Sequence, residues 1–265
     1  SLVLPTIPRA SNSTFDISGS AITSADAGVT INIDTNRADA TFTHTLAYAI
    51  GSASGTIATG VGASQSWTIP LTLLNQIPSA VSGTVVITTT TYDSSSNLIG
   101  TSTTNLTMTA GSGIVPTIGS VTATEATTTP NVASIVGGFV QGISTLAVAI
   151  VSGAGVYGST IVSSSIAVGA TQIISASSGT SGPVADTGTV PIIGTVTDSR
   201  GRTTSVTHNV TVLSYAYPTV TTATAKRALT GGTIDPNGTY MSVNIVAAVQ
   251  SLVVGTQKKD LTYSV

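Results

Sequence analysis

Apolar and polar residues alternate along most of the chain, most clearly on either side of a polar turn near residue 200. Residues 195–197 and 203–212 alternate with period two, and Asp198-Ser199-Arg200-Gly201-Arg202 stands between them. This pattern is typical of two antiparallel strands joined by a tight turn. Gly201 can adopt the positive φ that such a turn needs, and the Asp198 side chain can accept hydrogen bonds from nearby backbone amides. The segment is therefore predicted to be a β-hairpin.

A weaker copy of this hairpin is predicted upstream, at residues 88–109, where Asp93 takes the place of Asp198. The two aspartates are 105 residues apart (198 − 93). Each hairpin is followed by a proline, Pro116 or Pro218, and these are 102 residues apart (218 − 116). Two landmarks at nearly the same interval indicate tandem β domains of roughly 100 residues, the usual size of an immunoglobulin-like sandwich.

The predicted fold class is therefore all-β, with tandem immunoglobulin-like antiparallel β-sandwich domains. The first domain spans residues 1–113 and begins with an extended arm that contains Pro5 and Pro8. The second domain spans residues 114–213. Residues 214–265 are predicted to be a partial third β unit, either the start of a further domain or a unit that completes its fold with another chain.

Two segments between the predicted strands differ from the alternating pattern. Residues 71–76 lie between Pro70 and Pro78 and are predicted to form the only short helical turn of the chain. Residues 177–183, which are rich in serine and glycine, are predicted to be a flexible exposed loop.

Charge is sparse, which narrows the classes of partner. Only 7% of residues are charged, 41% are apolar, and the formal net charge is −2. Abundant valine, isoleucine and threonine with so little charge favour pleated strands with hydroxyl-bearing outer faces. The cationic pairs are predicted to be solvated turns without the concentrated basic face that nucleic-acid binding needs: Arg200/Arg202, Lys226/Arg227 and Lys258/Lys259.

The absence of cysteine excludes a disulfide framework, a thiolate metal site and a cysteine nucleophile. The longest apolar runs are of strand length, such as residues 146–151, and are far shorter than the about 20 residues of a membrane helix. Membrane insertion is therefore not expected, and no signal peptide is visible at Ser1.

Aromatic and histidine residues are the first candidates for binding chemistry. Trp67 is the only tryptophan and could stack on a sugar ring, although packing in a small β core is the favoured interpretation. Ser177, Ser178 and Thr180 are candidate glycan or partner contacts in the predicted loop. His44 and His208 lack acidic neighbours at metal-ligand spacing, so partly buried strand positions are favoured over a metal site.

Most of the acidic residues fall at predicted strand ends or turns. Asp34, Asn36 and Asp39 could contribute oxygens to a calcium site, but the ligand order of an EF-hand is absent, so turn formation is the favoured explanation. No pair of carboxylates is marked as a hydrolase centre, and no Gly-x-Ser-x-Gly elbow occurs before a helix. We therefore expect no enzymatic activity, no cofactor and no resident metal.

Several motifs resemble an uncharacterised family of minor structural tail proteins of long-tailed siphovirus phages, chiefly those of Gram-positive bacteria. The resemblance follows the chain in order over nearly its whole length, and the Asp-Ser-Arg-Gly-Arg and Trp-Thr-Ile-Pro segments are its most specific parts. The motifs are Thr43-His44-Thr45-Leu46-Ala47-Tyr48, Trp67-Thr68-Ile69-Pro70, Thr91-Tyr92-Asp93, Gly158-Ser159-Thr160-Ile161, Thr197-Asp198-Ser199-Arg200-Gly201-Arg202-Thr203 and Lys259-Asp260-Leu261-Thr262-Tyr263.

The resemblance implies a virion component of the tail tip or tail fibre that takes part in host attachment. Its expected partners are other tail subunits, host cell-wall glycan and further copies of the same chain in the tail. Two alternatives stay open at this point. One is a glycan-binding receptor-binding module of the tail, and the other is a bacterial surface adhesin with immunoglobulin-like repeats.

Overall fold

The computed structural model describes residues 9–127, 131–250 and Leu252. Nearly all of the secondary structure in these residues is strand, and the strands form several mainly antiparallel sheets, which confirms the predicted immunoglobulin-like β-sandwich class. Backbone contacts divide the chain into two units. Unit 1 comprises the chain up to Ile118 with Ser152–Ser163 and Val196–Thr204, and unit 2 comprises the remainder. The predicted domain boundaries at residues 113 and 213 stay predictions.

In the described residues 9–118 of unit 1, nine strands form two sheets. One sheet has the order β2-β1-β4-β7, and the other has the order β3-β9-β8-β5-β6. The strands are β1 (Thr14–Ile17), β2 (Ser20–Ile22), β3 (Ser24–Asp26), β4 (Thr30–Asp34), β5 (Thr43–Ile50), β6 (Ala53–Val61), β7 (Ser64–Thr68), β8 (Ser82–Tyr92) and β9 (Leu98–Thr109).

The later strands lie chiefly in unit 2 and form three sheets. Their orders are β10-β12-β15, β11-β17-β16-β13-β14 and β18-β19. The strands are β10 (Ser120–Glu125), β11 (Phe139–Val140), β12 (Thr145–Val151), β13 (Ile161–Val168), β14 (Gln172–Ile174), β15 (Ser178–Pro183), β16 (Gly188–Asp198), β17 (Thr203–Leu213), β18 (Thr219–Ala228) and β19 (Tyr240–Ala248).

The same strand order occurs twice. In both five-stranded sheets a short strand pairs in parallel with the last long strand, β3 with β9 and β11 with β17. Next in each sheet come the other arm of the hairpin, β8 or β16, and then two further strands. The chain therefore repeats one topology, as the spacing of its landmarks predicts.

The repeat extends to the hydrogen bonds of the two hairpin turns. Asp93 Oδ1 accepts hydrogen bonds from the amides of Ser95 and Asn97, two and four residues later. Asp198 Oδ1 accepts from the amides two and four residues later in the same way, those of Arg200 and Arg202. Both turns also contain a residue with positive φ three positions after the aspartate. The aspartate therefore organises each turn, as predicted.

The core of unit 1 shows why its strands alternate. On β8 every second residue from Val85 to Thr91 is buried, and on β9 Leu106 and Met108 are buried. Side chains of a strand point to opposite faces in turn, so one face packs inward and the other carries exposed hydroxyls. The first inward residues of β8 are aliphatic, whereas the last two, Thr89 and Thr91, are polar.

Three local predictions are wrong: that the chain has one short helix, that residues 177–183 are a loop, and that Arg200 is solvated. Leu71–Gln76 forms a 3₁₀ helix as expected, but α1 (Val132–Val136) is a second short helix, whose N-cap Asn131 accepts a hydrogen bond from the Ser134 amide. The predicted flexible loop at residues 177–183 is wrong, because most of it forms β15, which pairs with β12. Arg200 is wrongly predicted to be solvated, since only 6% of its surface is exposed.

Within the predicted third unit, residues 214–265, the described residues form the hairpin of β18 and β19, and the unit itself stays a prediction. The two strands pair in antiparallel register from Thr219 with Ala248 to Ala228 with Tyr240, with a bulge at Thr221. Contacts assign this hairpin to unit 2. The strand predicted at residues 260–265 and the Lys258/Lys259 pair lie outside the described residues.

Candidate functional site

The predicted contact residues lie in two places, one in each unit. Trp67, on β7 of unit 1, is 9% exposed and stacks on Tyr48 with ring centroids 5.5 Å apart and an angle of 25° between the rings. Gly55 lies opposite Tyr48 on β6, and a Cβ atom there would meet the Tyr48 ring at 2.9 Å. The indole therefore belongs to the core, and its place as a sugar contact stays a prediction.

Ser177, Ser178 and Thr180 have exposed side chains at the edge strand β15 of unit 2. The Ser177 carbonyl accepts a hydrogen bond from the Ile150 amide, which fixes the start of the strand. The next inward residue, Ser181, is buried, and its hydroxyl oxygen accepts from the Leu146 amide. Alternation thus turns the Ser178 and Thr180 hydroxyls outward, where they can hydrogen-bond a glycan or a protein partner.

His44 is buried in unit 1 within a network of hydroxyl groups. Its Nδ1 lies 3.0 Å from the Val61 carbonyl oxygen, which can only accept, so Nδ1 carries the proton. Its Nε2 therefore accepts from the Ser11 hydroxyl, at 2.8 Å. The Ser11 amide in turn donates to Thr91 Oγ1. A serine and a histidine at this distance have the form of a nucleophile and its base.

This serine–histidine pair is inaccessible to a substrate from the surface. Ser11 is 3% exposed and His44 is 0% exposed. A second hydroxyl pair, Ser13 with Thr89 at 2.6 Å, continues the network towards the strand β1. We assign to the network the role of anchoring residues 11–13 against β8, since it satisfies polar groups that burial would otherwise leave unpaired. His208, the other histidine, is exposed on β17, which differs from the expectation of partial burial.

The Asp198 turn carries a polar cluster with many hydrogen bonds in unit 1. Arg200 donates from its guanidinium to four carbonyl oxygens: Leu74 at 2.9 Å, Ile77 at 3.1 Å, Val156 at 2.8 Å and Tyr157 at 2.5 Å. The Leu74 and Ile77 carbonyls lie at the end of the 3₁₀ helix, and each also accepts from a backbone amide, that of Ile77 and that of Ala80 respectively.

Arg202 contributes a further contact, donating to the Ala110 carbonyl at 2.7 Å. Asp198 is fully buried, and its second carboxylate oxygen has no partner among the described residues. Because the guanidinium of Arg200 is taken up by backbone carbonyls, the cluster acts as a structural clamp. The sequence marks this segment as a turn, but nothing in it shows that the arginine points inward.

The candidate calcium ligands do not converge. Asn36 donates through its side-chain amide to the Asn12 carbonyl and to Thr14 Oγ1, and Asp39 accepts from the amide and hydroxyl of Thr41. These Thr41 hydrogen bonds lower the pKa of Asp39. Among residues 9–127 and 131–250 no group of three or more acidic, histidine or cysteine side chains is placed to hold a metal ion.

Asp34 instead lies near Asp16 on the outer face of the sheet that contains β1 and β4. Burial raises the pKa of Asp34, and the hydrogen bond and negative charge of Asp16 raise it further. Asp16 is also held by the Gly19 amide at 2.7 Å and by the Asn32 side chain at 3.4 Å. The repulsion between the two carboxylates is therefore locally unfavourable, and it is tolerated because the pair lies next to a turn on a polar face of the sheet.

No helix in the described part of the chain is long and apolar enough to cross a membrane. Together, the repeated topology and these clusters define an immunoglobulin-like β-sandwich protein whose described polar groups serve turns, anchors and exposed sheet edges.

The family follows from the whole chain. A family model described as "Siphovirus protein of unknown function (DUF859)" matches residues 1–265, so the chain belongs to this siphovirus family. This membership confirms the resemblance to an uncharacterised siphovirus family and supports a structural component of the phage. No curated protein gives a significant match.

Two solved structures show weak similarity. The fibronectin(III)-like modules of Clostridium thermocellum CbhA are 15% identical, with 77% of this chain and 95% of that chain covered and a TM-score of 0.27. A structure described as "PcdhgB3 EC1-4 in 50 mM HEPES" is 8% identical, with 77% of this chain and 50% of that chain covered and a TM-score of 0.27. Scores this low carry no inference about shared function.

Proposed function

We propose that the protein is a component of the siphovirus tail, at the tail tip or in a tail fibre, and that it takes part in host attachment. The observation that carries the proposal is the match of a siphovirus family over the whole chain. The duplicated β-sandwich topology supports it, because repeated β-sandwich modules suit a part that extends from a particle. The phage host is proposed to be a Gram-positive bacterium.

The proposed mechanism is mechanical and needs no catalysis. Long paired strands, such as the 11 residues of β8 against the 12 of β9, distribute load over a continuous ladder of backbone hydrogen bonds. Buried apolar residues on the inner faces and the Arg200 clamp hold unit 1 together without cysteine. The proposed location is the virion tail, outside the host cell, and the proposed partners are neighbouring tail subunits and other copies of this chain.

The experiment that tests this location is immunogold electron microscopy of purified virions with affinity-purified antibody against residues 1–265. Label concentrated on the tail, and absent with pre-immune antibody, is the expected result. Label on the capsid, or no protein in the particles by immunoblot, would contradict the proposal. Blocking of phage adsorption by the same antibody would then separate an attachment role from a purely structural one.

A glycan-binding role is the second candidate, favoured by the outward hydroxyls on β15. Ser178 and Thr180 lie on an edge strand with few charges nearby, where a sugar can reach both side-chain and backbone groups. We expect the intact chain to sediment with purified host cell walls, and Thr180→Val to reduce the bound fraction. Thr207→Val, a matched change at an exposed position on β17, is the control. Equal binding by all three proteins would argue against β15 as the contact.

A further inference from the structure

The hairpin of β18 and β19 is amphipathic but leaves its apolar face open in the described part of the chain. Met241, Val243 and Ile245 alternate along β19 and are 67%, 46% and 52% exposed. Their partners on β18 are Ala225 opposite Val243, Ala223 opposite Ile245 and Arg227 opposite Met241, so the face is apolar except at its Arg227 end. Exposed aliphatic side chains this concentrated mark an interaction surface in a folded protein. A two-stranded hairpin is also marginally stable by itself.

The two edges of this hairpin differ in how they are protected. The edge of β18 carries the bulge at Thr221 and the charges of Lys226 and Arg227. The Asp235 amide also donates to the Arg227 carbonyl, so the connecting loop covers the end of β18. Bulges, cationic side chains and covering loops are the means by which proteins block strand addition.

The edge of β19 has none of these features in residues 240–248. Its nine residues contain no charge, no proline, no glycine and no bulge, and no described strand lies beyond it. Such an edge spans about 30 Å and presents unpaired backbone groups to an incoming strand. Strand addition is therefore directed to β19.

We propose that β19 pairs with β19 of a second copy of this chain, antiparallel, with Asn244 at the twofold axis. Asn244 is the central residue of the strand. In this register Val243 faces Ile245 of the second copy, and Met241 faces Ala247 of the second copy. The apolar side chains of both hairpins then share one face of a four-stranded sheet. A shift by one residue would mix the two faces. A shift by two residues would keep the faces but leave strand ends unpaired, so the register centred on Asn244 is the one that pairs all nine residues.

A second copy is favoured because the pairing is self-complementary and free of repulsion. The strand carries no charge, so no like charges meet at the axis. Each Lys226 lies on the far strand, three strand spacings across and four residues along from its counterpart, so the two are about 19 Å apart, which exceeds the screening length at physiological salt. An interface with the same patch on both copies is the usual form of a dimer contact.

The contact is small, so we expect it to be weak between free chains. One pair of strand edges falls below the area of a standard interface, and the entropy lost on association offsets much of what it contributes. Several copies held together in a particle would raise the effective concentration and strengthen the pairing. The proposal concerns the chain itself and stands whether or not the tail location is correct.

The chain has no cysteine, so single cysteines test the register directly. In the proposed dimer the Cα atoms at position 244 of the two copies are about 5 Å apart, within disulfide range. Asn244→Cys in the full chain is therefore expected to form a covalent dimer on mild oxidation. Thr224→Cys is the matched control, because Thr224 pairs with Asn244 inside the hairpin and is about 14 Å from its counterpart across three strand spacings.

A charge variant gives an independent readout by sedimentation equilibrium. Asn244→Lys places two ammonium groups opposite each other at the axis and is expected to weaken self-association at least about tenfold, whereas Thr224→Lys leaves it nearly unchanged. Selective cross-linking at position 244 together with selective loss in Asn244→Lys would support the pairing. Equal cross-linking at 244 and 224, or a wild-type chain that stays monomeric at about 300 µM, would overturn it.

Discussion

Replacing Arg200 by alanine is expected to destabilise unit 1 more than any surface substitution. The side chain is 6% exposed and donates to four backbone carbonyls, those of Leu74, Ile77, Val156 and Tyr157. Removing it takes the charged donor away from all four carbonyls. Those of Leu74, Ile77 and Val156 each keep a backbone amide donor. The Tyr157 carbonyl keeps no other donor among the described residues.

The magnitude follows from the loss of charged hydrogen bonds and from one acceptor left unpaired, the Tyr157 carbonyl. A hydrogen bond from a charged donor contributes about 1.5 to 3 kcal/mol, and an acceptor left unsatisfied costs about 1 to 3 kcal/mol. Water entering the space vacated by the side chain would recover part of this. We therefore expect Arg200→Ala to lower the free energy of unfolding by about 2 to 4 kcal/mol.

Trp67 provides the assay, because it is the only tryptophan and lies in the core of unit 1. Urea unfolding followed by tryptophan fluorescence therefore reports on this unit. We expect the midpoint of Arg200→Ala to fall strongly, and that of Arg200→Lys to fall less, since an ammonium keeps the charge but cannot reproduce the planar fork. Arg227→Ala is the control, because Arg227 is exposed on β18.

A loss of less than about 1 kcal/mol in Arg200→Ala, similar to Arg227→Ala, would refute the reasoning. It would mean that the carbonyls are satisfied as well by water as by the guanidinium. A large change in the slope of the transition would instead show that the denatured or native state changed compactness.

Three further predictions concern acidic and buried polar groups. The pKa of Asp34 is raised in the folded protein, so folding stability is lost as the pH rises from the pKa of the unfolded chain towards that of the folded protein. Asp34→Asn should therefore raise the thermal midpoint at pH 7 and have little effect below pH 3.8. The pKa of Asp93 is lowered by its hydrogen bonds to Asn97 and Ser95, so its contribution to folding stability is present at neutral pH and is lost as the pH falls through the folded pKa. Asp93→Ala should therefore lower the thermal midpoint at pH 7, and the midpoints of variant and wild type should converge in acid. Ser11→Ala removes the donor to His44 and should cost about 1 to 3 kcal/mol by urea unfolding; an unchanged midpoint would show that the network does not anchor residues 11–13.

The hairpins could be predicted from sequence because their signal is local. Asp198 and Gly201 have turn chemistry that depends on neighbours within four residues, and the structure shows those hydrogen bonds. Asp93 shares the chemistry although Ser96 takes the positive φ in place of glycine. Repetition of the landmark then indicated repetition of the fold, and the duplicated strand order confirms this.

The buried polar groups could not be predicted because their partners are distant in sequence. Residues 88–91 are all threonine, so apolar and polar residues do not alternate there. The sequence therefore cannot show that Thr89 and Thr91 face inward. They do so because Ser13 and Ser11 supply hydrogen bonds from 76 and 80 residues away. Arg200 is similar, since its acceptors at Leu74 and Ile77 are more than 120 residues away.

The strand β15 was missed for a different reason. Residues 178–183 contain two glycines, two serines and a proline, a composition that favours turns over strands. Pairing with β12 overrides this weak local preference, and the proline is tolerated because β15 lies at the edge of its sheet. Of the candidate contacts, Ser178 and Thr180 are thus on an ordered edge, whereas Trp67 is in a core.

A cryo-electron microscopy reconstruction of the tail of the encoding phage tests the proposal that this siphovirus protein is a structural part of the tail. We expect density at the tail tip or fibre that accommodates both β-sandwich units, with several copies arranged about the tail axis. Complete assignment of the tail density to other proteins, with this chain absent from purified virions by mass spectrometry, would contradict it.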